Sequence, residues 1–161
     1  MQDYKTSSII LFCGMICSEA GHNIKVPQGK HVFLTEGRPT LEPAKENAKF
    51  FLKQKQIPTI IADNMAGFLF AQGYVSGVVL ACQYADKSGA LCDTGALIYA
   101  VLAKRHKVPV KLVQGRLRTR FLGDPKSILS FEGVQIAPKG TKGYVPLVEW
   151  VPAKYLNAGK K

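Results

Sequence analysis

The residues with the widest chemical range are four cysteines, Cys13, Cys17, Cys82 and Cys92. A thiolate is a nucleophile and a soft metal ligand. The first pair is spaced C-x₃-C, and the second pair lies further apart. Neither spacing is a standard zinc pattern. Cys13, Cys82 and Cys92 each fall at or next to the end of an apolar run. Brought into one crevice, with Cys17, they would suit a soft metal, an iron–sulfur cluster or thiol chemistry, and His22 and His31 are further ligands for it. The alternative is that each thiol is a small buried hydrophobe. A disulfide framework is not needed at this length, so the thiols are read as reduced and the compartment as cytoplasmic. No pattern requires a bound cofactor.

A second concentration of chemistry is cationic. Lys104, Arg105, Lys107, Lys111, Arg116, Arg118 and Arg120 follow one another with no Asp or Glu among them. Lys104, Arg105 and Lys107 suit a helix C-terminus. Arg116 and Arg118 lie where a strand-end loop can hold phosphate. A nucleic-acid surface is the alternative, although no recognised motif or interleaved aromatic residues support it. A plain solvated basic surface is the third reading. This segment accounts for much of the net charge of +11, set by 22 Lys and Arg against 11 Asp and Glu.

The elements that must position these residues fit one domain, because 161 residues with 47% hydrophobic content can bury a core unaided. No apolar run approaches the ~18 residues of a membrane span. Ser8–Ile16 is short, follows only Lys5 among cations and is followed by no clean small-residue cleavage site, so it reads as a buried strand rather than a signal peptide. His31–Thr35, Thr59–Ala62, Val75–Ala81 and Val108–Val113 read as further strands. Pro43–Gln56, Asn64–Gln72 and a stretch from Asp93 or Thr94 to His106 read as helices. Val134–Pro138 and Tyr144–Trp150 read as extended, and Pro152 opens a last short helix. The alternation predicts a single-domain α/β fold, Rossmann-like and doubly wound around a mainly parallel sheet. The expected boundaries are a lead-in at 1–7, the domain at 8–156 and a basic tail at 157–161.

Parallel sheets bind ligands beyond the carboxyl ends of their strands. The residues there are Cys13 and Gly14; Glu36, Gly37 and Arg38; Asp63 and Asn64; Cys82 to Asp93; and the Gln114–Arg118 loop.

Read in order, these strand ends resemble a known family. It contains methylthioribose-1-phosphate isomerase, ribose-1,5-bisphosphate isomerase and the alpha, beta and delta subunits of eukaryotic initiation factor 2B. VFLTEGRP at Val32–Pro39 resembles its strand ending in acidic-x-Arg-Pro. IPTIIADNMAGFLF and ALIYAVLAKRHKVPVKLV, within Ile57–Val113, resemble its strand, Asp and short helix, then its next helix and strand. IAPKGTKGYVPLVEWVPAKYL at Ile136–Leu156 resembles the end of the isomerases. The resemblance implies the family's C-terminal Rossmann-like domain without its separate helical domain. It also implies a homodimer, to which Tyr144–Trp150 can contribute. A second chain is one source for the helical part.

At the functional positions the resemblance is partial. Cys13 matches the family's catalytic Cys. The G-A-D-R segment reads Leu80-Ala81-Cys82-Gln83, so Cys82 stands where the catalytic Asp would be. An Asn-Lys pair becomes Cys92-Asp93, and a substrate-binding Gln becomes Glu42. Arg38, Asp63 and Gly95 remain. The segment between Cys13 and His31 is too short for the family's full crossover helix.

The resemblance therefore implies a divergent member that binds a small phosphorylated ligand. Its expected contacts are Gly14, Glu36, Arg38, Glu42, Asp63, Asn64, Cys82, Gln83, Cys92, Gly95 and Arg116. Arg38 is read as an anion contact, with a salt bridge to Glu36 or Glu42 as the alternative. Gly14, Gly37 and Gly95 allow either close approach to a ligand or a tight turn. Three other readings stay open. One is an aldose–ketose isomerase using Cys13 with Asp86 or Asp93, since that reaction needs an acid, a base and an anion anchor. Another is a thiol or metal site of Cys13, Cys82 and Cys92. The last is a regulatory or nucleic-acid-associated module.

Overall fold

The run IILFC has β-branched and aromatic side chains on both faces, and it forms the strand β1 (Ile9–Cys13), almost wholly buried. The structure is a computed structural model that describes residues 4–16 and 24–156. After β1 come β2 (His31–Thr35), α1 (Glu42–Lys53), β3 (Thr59–Ile61), a 3₁₀ turn at Asp63–Met65 and α2 (Ala66–Ala71). Then follow β4 (Val75–Asp86), β5 (Gly89–Asp93), α3 (Ala96–Arg105) and β6 (Val110–Gln114). A 3₁₀ turn at Pro125–Ile128, the short hairpin of β7 (Ser130–Phe131) and β8 (Val134–Gln135), β9 (Val148–Pro152) and α4 (Ala153–Leu156) complete the order.

The strands β3, β2, β1, β4 and β6 lie side by side and parallel. Helices α2 and α3 cover one face. There Leu11, Phe33 and Leu80 meet Phe70, Tyr99 and Ala100. On the other face Phe12, Leu34 and Val79 pack with Phe51 of α1. Successive strand residues go to opposite clusters, as the two-residue period requires. In α3, Ala96, Tyr99, Ala100 and Ala103 form a buried stripe at helical spacing, and the three alanines let the helix lie close to the sheet.

The largest difference from the sequence reading lies in β4. It does not end at Ala81 but runs on to Asp86, and the expected 82–93 loop is a β-hairpin with β5. The Asp86 carboxylate closes the turn. It accepts from the Ser88 N–H and hydroxyl, both at 2.7 Å, and from the Gly89 N–H at 3.2 Å. β9 then pairs antiparallel with β5, and Gly89 leaves room for the Val151 carbonyl and the Trp150 ring. Leu80 pairs with both Cys13 and Leu112, so β1 and β6 flank β4 on opposite sides. Cys82 pairs with both Cys92 and Gln114, so β5 occupies the side that β1 leaves. The hairpin thereby delivers Asp93 to the end of β1.

Smaller boundary differences follow the same logic. β6 starts at Val110 rather than Val108, and β9 starts at Val148, with Tyr144–Leu147 contributing one bridge, Leu122 to Pro146. Among the described residues no helix is long and apolar enough to cross a membrane. The 157–161 tail, Cys17 and His22 lie outside the described residues.

Candidate ligand-binding cleft

Cys13 is the last residue of β1, and its thiol is buried beside the Thr35 side chain, which hydrogen-bonds to it. Burial pushes this thiol well above its ordinary value, and the charges of Asp63 and Asp93 add to the rise. It is therefore protonated at neutral pH. Gly14 follows with φ 78°, and an added Cβ would crowd Ala81 at 3.2 Å and the Asp93 carboxylate at 3.3 Å. Two side chains clamp this turn. Asn47 of α1, fully buried, donates from Nδ2 to the Gly14 carbonyl at 2.9 Å and accepts from the Ile16 N–H at 3.2 Å. Asp93 accepts from the Met15 N–H through Oδ2 at 2.9 Å.

The turn after β2 is held the same way. Both Asp63 oxygens accept backbone N–H groups, Gly37 at 2.9 Å and Arg38 at 2.8 Å. The Tyr99 hydroxyl donates to the Asp63 carbonyl at 3.0 Å, which ties α3 to this corner. Gly37 has φ 72°, and a Cβ there would collide with the Pro43 ring. The Arg38 guanidinium stacks on the Phe131 ring at 4.1 Å. Among the described residues it forms no direct salt bridge with Glu36 or Glu42, the alternative considered from sequence.

Arg118 closes the third side. Its Nε donates to Asp93 Oδ1 at 2.8 Å, with both side chains nearly buried. Its Nη1 reaches Glu42 Oε2 at 3.3 Å, and its backbone N–H donates to Gln83 Oε1 at 2.9 Å. Gln83 Nε2 also approaches Asp93 Oδ1 at 3.5 Å. The result is a narrow cleft of about 350 Å³, its open mouth included. Cys13, Thr35, Asp63 and Asp93 line it with Arg38 and Arg118.

The structure brings together only part of the residues expected from sequence. Cys13, Gly14, Arg38, Asp63 and Asp93 meet in the cleft. Asp86 does not, because its carboxylate is spent on the hairpin turn, and it also accepts from the Tyr84 hydroxyl at 3.2 Å. Asn64 is exposed on the 3₁₀ turn, and Glu36 is half-buried outside the cleft lining. Gln83 braces Arg118 from behind. Gly95, at φ 104°, starts α3, and its N–H and that of Leu97 are both taken by Glu149 Oε1 at 2.8 Å. Glu42 and Arg116 line a neighbouring groove instead.

The expected convergence of Cys13, Cys82 and Cys92 on one metal is not met. Cys82 Sγ donates to the Val113 carbonyl at 3.4 Å, and Cys92 is buried in the core, where burial raises its thiol to about 12. Among the described residues no group of three or more His, Cys, Asp or Glu side chains is arranged to hold a metal, the exposed His31 included.

Asn47 and Glu149 carried no motif in the sequence. Arg118 was visible only as one member of a basic run, and its carboxylate partners lie 25 and 76 positions away.

A family model for the Initiation factor 2 subunit family matches residues 14–158. The chain belongs to the Initiation factor 2 subunit family. Curated relatives in this family include a methylthioribose-1-phosphate isomerase from Thermus thermophilus, 32% identical, with the match covering 80% of this chain and 42% of that protein. The isomerase of Citrifermentans bemidjiense is 31% identical over 94% of this chain and 50% of its own length. This family member thus spans about half the length of these relatives. Among solved structures, the delta subunit of initiation factor eIF-2B from A. fulgidus superposes with a TM-score of 0.74 at 19% identity, covering 94% of this chain and 51% of the other. The 5-methylthioribose 1-phosphate isomerase of Pyrococcus horikoshii gives 0.71 at 22% identity, covering 94% and 49%. These likenesses establish the Rossmann-type fold.

Proposed function

We propose that this family member binds a small phosphorylated ligand of the sugar-phosphate class in the cleft at the ends of β1 and β2. The observation that carries this reading is the pairing of two guanidinium groups, Arg38 and Arg118, with the Cys13 thiol in one cleft. Guanidinium groups suit phosphate because their fork matches two of its oxygens. The isomerase names of the curated relatives support the same ligand class.

Binding without turnover is the reading that the hydrogen bonds favour. Both carboxylates of the cleft are committed, Asp63 to two backbone N–H groups and Asp93 to Met15 and Arg118. Neither carboxylate is free to turn toward a ligand while those bonds stand. Isomerisation is the second reading, and it rests on Cys13 and Asp93 lining one cleft. The buried thiol is a proton donor at neutral pH, which suits a general acid at a carbonyl oxygen. Asp93 is then the base, once Arg118 turns from it to the ligand.

Pairing of two copies belongs to the same proposal. Met65 and Phe68 around α2, and Ile98 and Val101 on the adjoining α3, are exposed apolar side chains that a second copy would cover. Sedimentation at micromolar concentration tests it, and a monomer throughout refutes it.

The deciding experiment is calorimetric titration with methylthioribose 1-phosphate, followed by NMR for a ketose product. Binding that Arg38→Gln weakens at least about tenfold supports the proposal. Absence of binding at millimolar ligand refutes it. Ketose formation that Cys13→Ser abolishes selects the isomerase reading.

A further inference from the structure

The two faces of the parallel sheet are covered unequally. Helices α2 and α3 take one face, and on the other α1 packs against β2. Beyond α1 that second face carries an apolar slot of about 640 Å³, its open mouth included. Residues 24–27, β1, the start of β4 and β6 line it. It shares no lining residue with the Cys13 cleft, which lies at the carboxyl ends of the strands. We infer that this slot is a binding site for an apolar carboxylate, an alkyl chain with one anionic end, whose chain enters the slot and whose carboxylate meets Lys25 and Lys111.

The slot follows from the two-residue period of the strands. Phe12 and Val79 belong to the cluster on this face, with Ile10 and Val113 packed against them. Between the apolar positions of the face comes Lys111 of β6. Its register partner is Val79, so its aliphatic stem lies over the same apolar surface while its ammonium group stays in water. Gly77 of β4 pairs with Ile10, and a Cβ there would meet Ile10 Cδ1 at 3.1 Å. Its missing side chain keeps that end of the slot open.

Among the described residues, the polar side chains lining the slot are Lys25, Lys111 and Ser76. Ser76 Oγ is committed, donating to the Ile9 carbonyl at 3.0 Å. Both lysines are exposed, and neither forms a salt bridge among the described residues. No Asp or Glu lines the slot. Apolar walls with two unpaired ammonium groups complement an apolar body that carries a negative end, and the volume falls in the range of small-ligand sites, about 300–1,000 Å³.

The depth of the slot favours a slender occupant. Phe12 is 1% exposed, and Ile24 and Val79 are each 7% exposed, so the floor is reached only through a narrow opening. A helix about 10 Å across would rest on the rim, whereas an alkyl chain passes between the walls. A second copy related by a two-fold axis would set these lysines against their own equivalents, on a chain of net charge +11.

The test is calorimetry with sodium decanoate, below its micelle concentration, on the full chain, together with methyl NMR. One decanoate is expected to bind and to shift the Ile24 and Val79 methyl resonances. Lys25→Gln with Lys111→Gln weakens it at least about fivefold, and the fold tolerates the pair because both side chains are exposed. Binding of 1-decanol, the same chain without the charge, changes less than about twofold in that variant. Lys87→Gln with Lys139→Gln, an equal loss of charge at exposed positions away from the slot, changes decanoate binding less than about twofold at matched salt. Octanoate binds roughly tenfold more weakly than decanoate, because two methylenes fewer are buried. Val26→Trp fills the slot and weakens acid and alcohol alike, and a thermal melt shows whether that variant is folded. A lysine-pair variant that binds decanoate normally overturns the proposal, as do equal affinities for octanoate and decanoate or no binding at millimolar decanoate. Methyl shifts confined to Ile98 and Val101 would put the chain on α3 and refute the slot. A protein that floats with phosphatidylglycerol vesicles yet ignores free decanoate would make this a membrane face. A dimer that Val26→Trp breaks, with no decanoate bound in the parent, would assign the slot to a second copy; either result refutes the site.

Discussion

Arg118 and Asp93 form a nearly buried ion pair, Nε to Oδ1 at 2.8 Å, that joins the turn after β6 to the end of the β4–β5 hairpin. The same carboxylate takes the Met15 N–H through its other oxygen, so one residue fixes two of the three walls of the cleft. Breaking such a pair from one side leaves an uncompensated charge in poor solvent. Arg118→Ala is expected to cost about 2–4 kcal/mol and Asp93→Ala a similar amount. The double variant should fall short of their sum by about 1–3 kcal/mol. Urea unfolding of the four proteins measures this. Additive losses would mean that the pair contributes nothing of its own.

Asp63 holds the β2 turn by accepting the Gly37 and Arg38 N–H groups, one on each oxygen. Asparagine cannot reproduce that, because its amide nitrogen would face one of the two donors. Asp63→Asn is therefore expected to cost about 1–3 kcal/mol, close to Asp63→Ala. An Asn variant as stable as the parent would show that one of the two bonds is dispensable.

The buried thiols predict an alkaline limit to stability. Burial, then the Cys82, Asp93 and Glu149 charges, raise Cys92 from 9.0 to about 12, and Cys13 also lies well above 9.0. In the unfolded chain both lose their protons near their ordinary value, while the folded state keeps them. The stability they contribute is complete below pH 9 and is lost as pH climbs from there through the folded values. Each thiol contributes a slope of about −1.4 kcal/mol per pH unit in that window. Tyr99, raised by burial from 10.0, adds to the loss above pH 10. Cys92→Ala should remove its share of the slope between pH 9 and 12, whatever it does to stability at pH 7. A slope unchanged in that variant contradicts the assignment.

Glu149 supplies the N-terminal cap of α3 from a different strand, accepting from Gly95 and Leu97. Glu149→Ala should cost about 1 kcal/mol, and Glu149→Gln less, because its carbonyl still accepts while the favourable charge at the helix N-terminus is gone. Thermal melts of both variants decide this. Equal losses would assign the whole effect to charge.

The parallel sheet was legible because each of its strands is a short apolar run between turn residues, and local chemistry is enough to mark such a run. Cys13, Arg38 and Asp63 followed as strand-end residues, and they do share a cleft. The hairpin was not legible in the same way. Cys82–Asp86 is polar and partly exposed, and nothing in it announces that β9, some sixty residues further on, will pair with β5. Asp86 and Asp93 looked equivalent as carboxylates at a strand end. Their roles diverged because one sits at the tip of the hairpin and the other at its base.

By itself, the sequence determined the α/β class, the family resemblance and the identity of the thiol at the end of β1. These depend on residue type and near-neighbour spacing. Only the tertiary structure decided that Asp93 and not Asp86 lines the cleft with that thiol, that Glu149 caps α3, and that Arg118 divides a cleft from a groove. Each of those outcomes is a contact between residues far apart in the chain, at least 25 positions for every pair that Arg118 and Glu149 make here. Such contacts exist only once the hairpin and β9 have folded over the end of the parallel sheet.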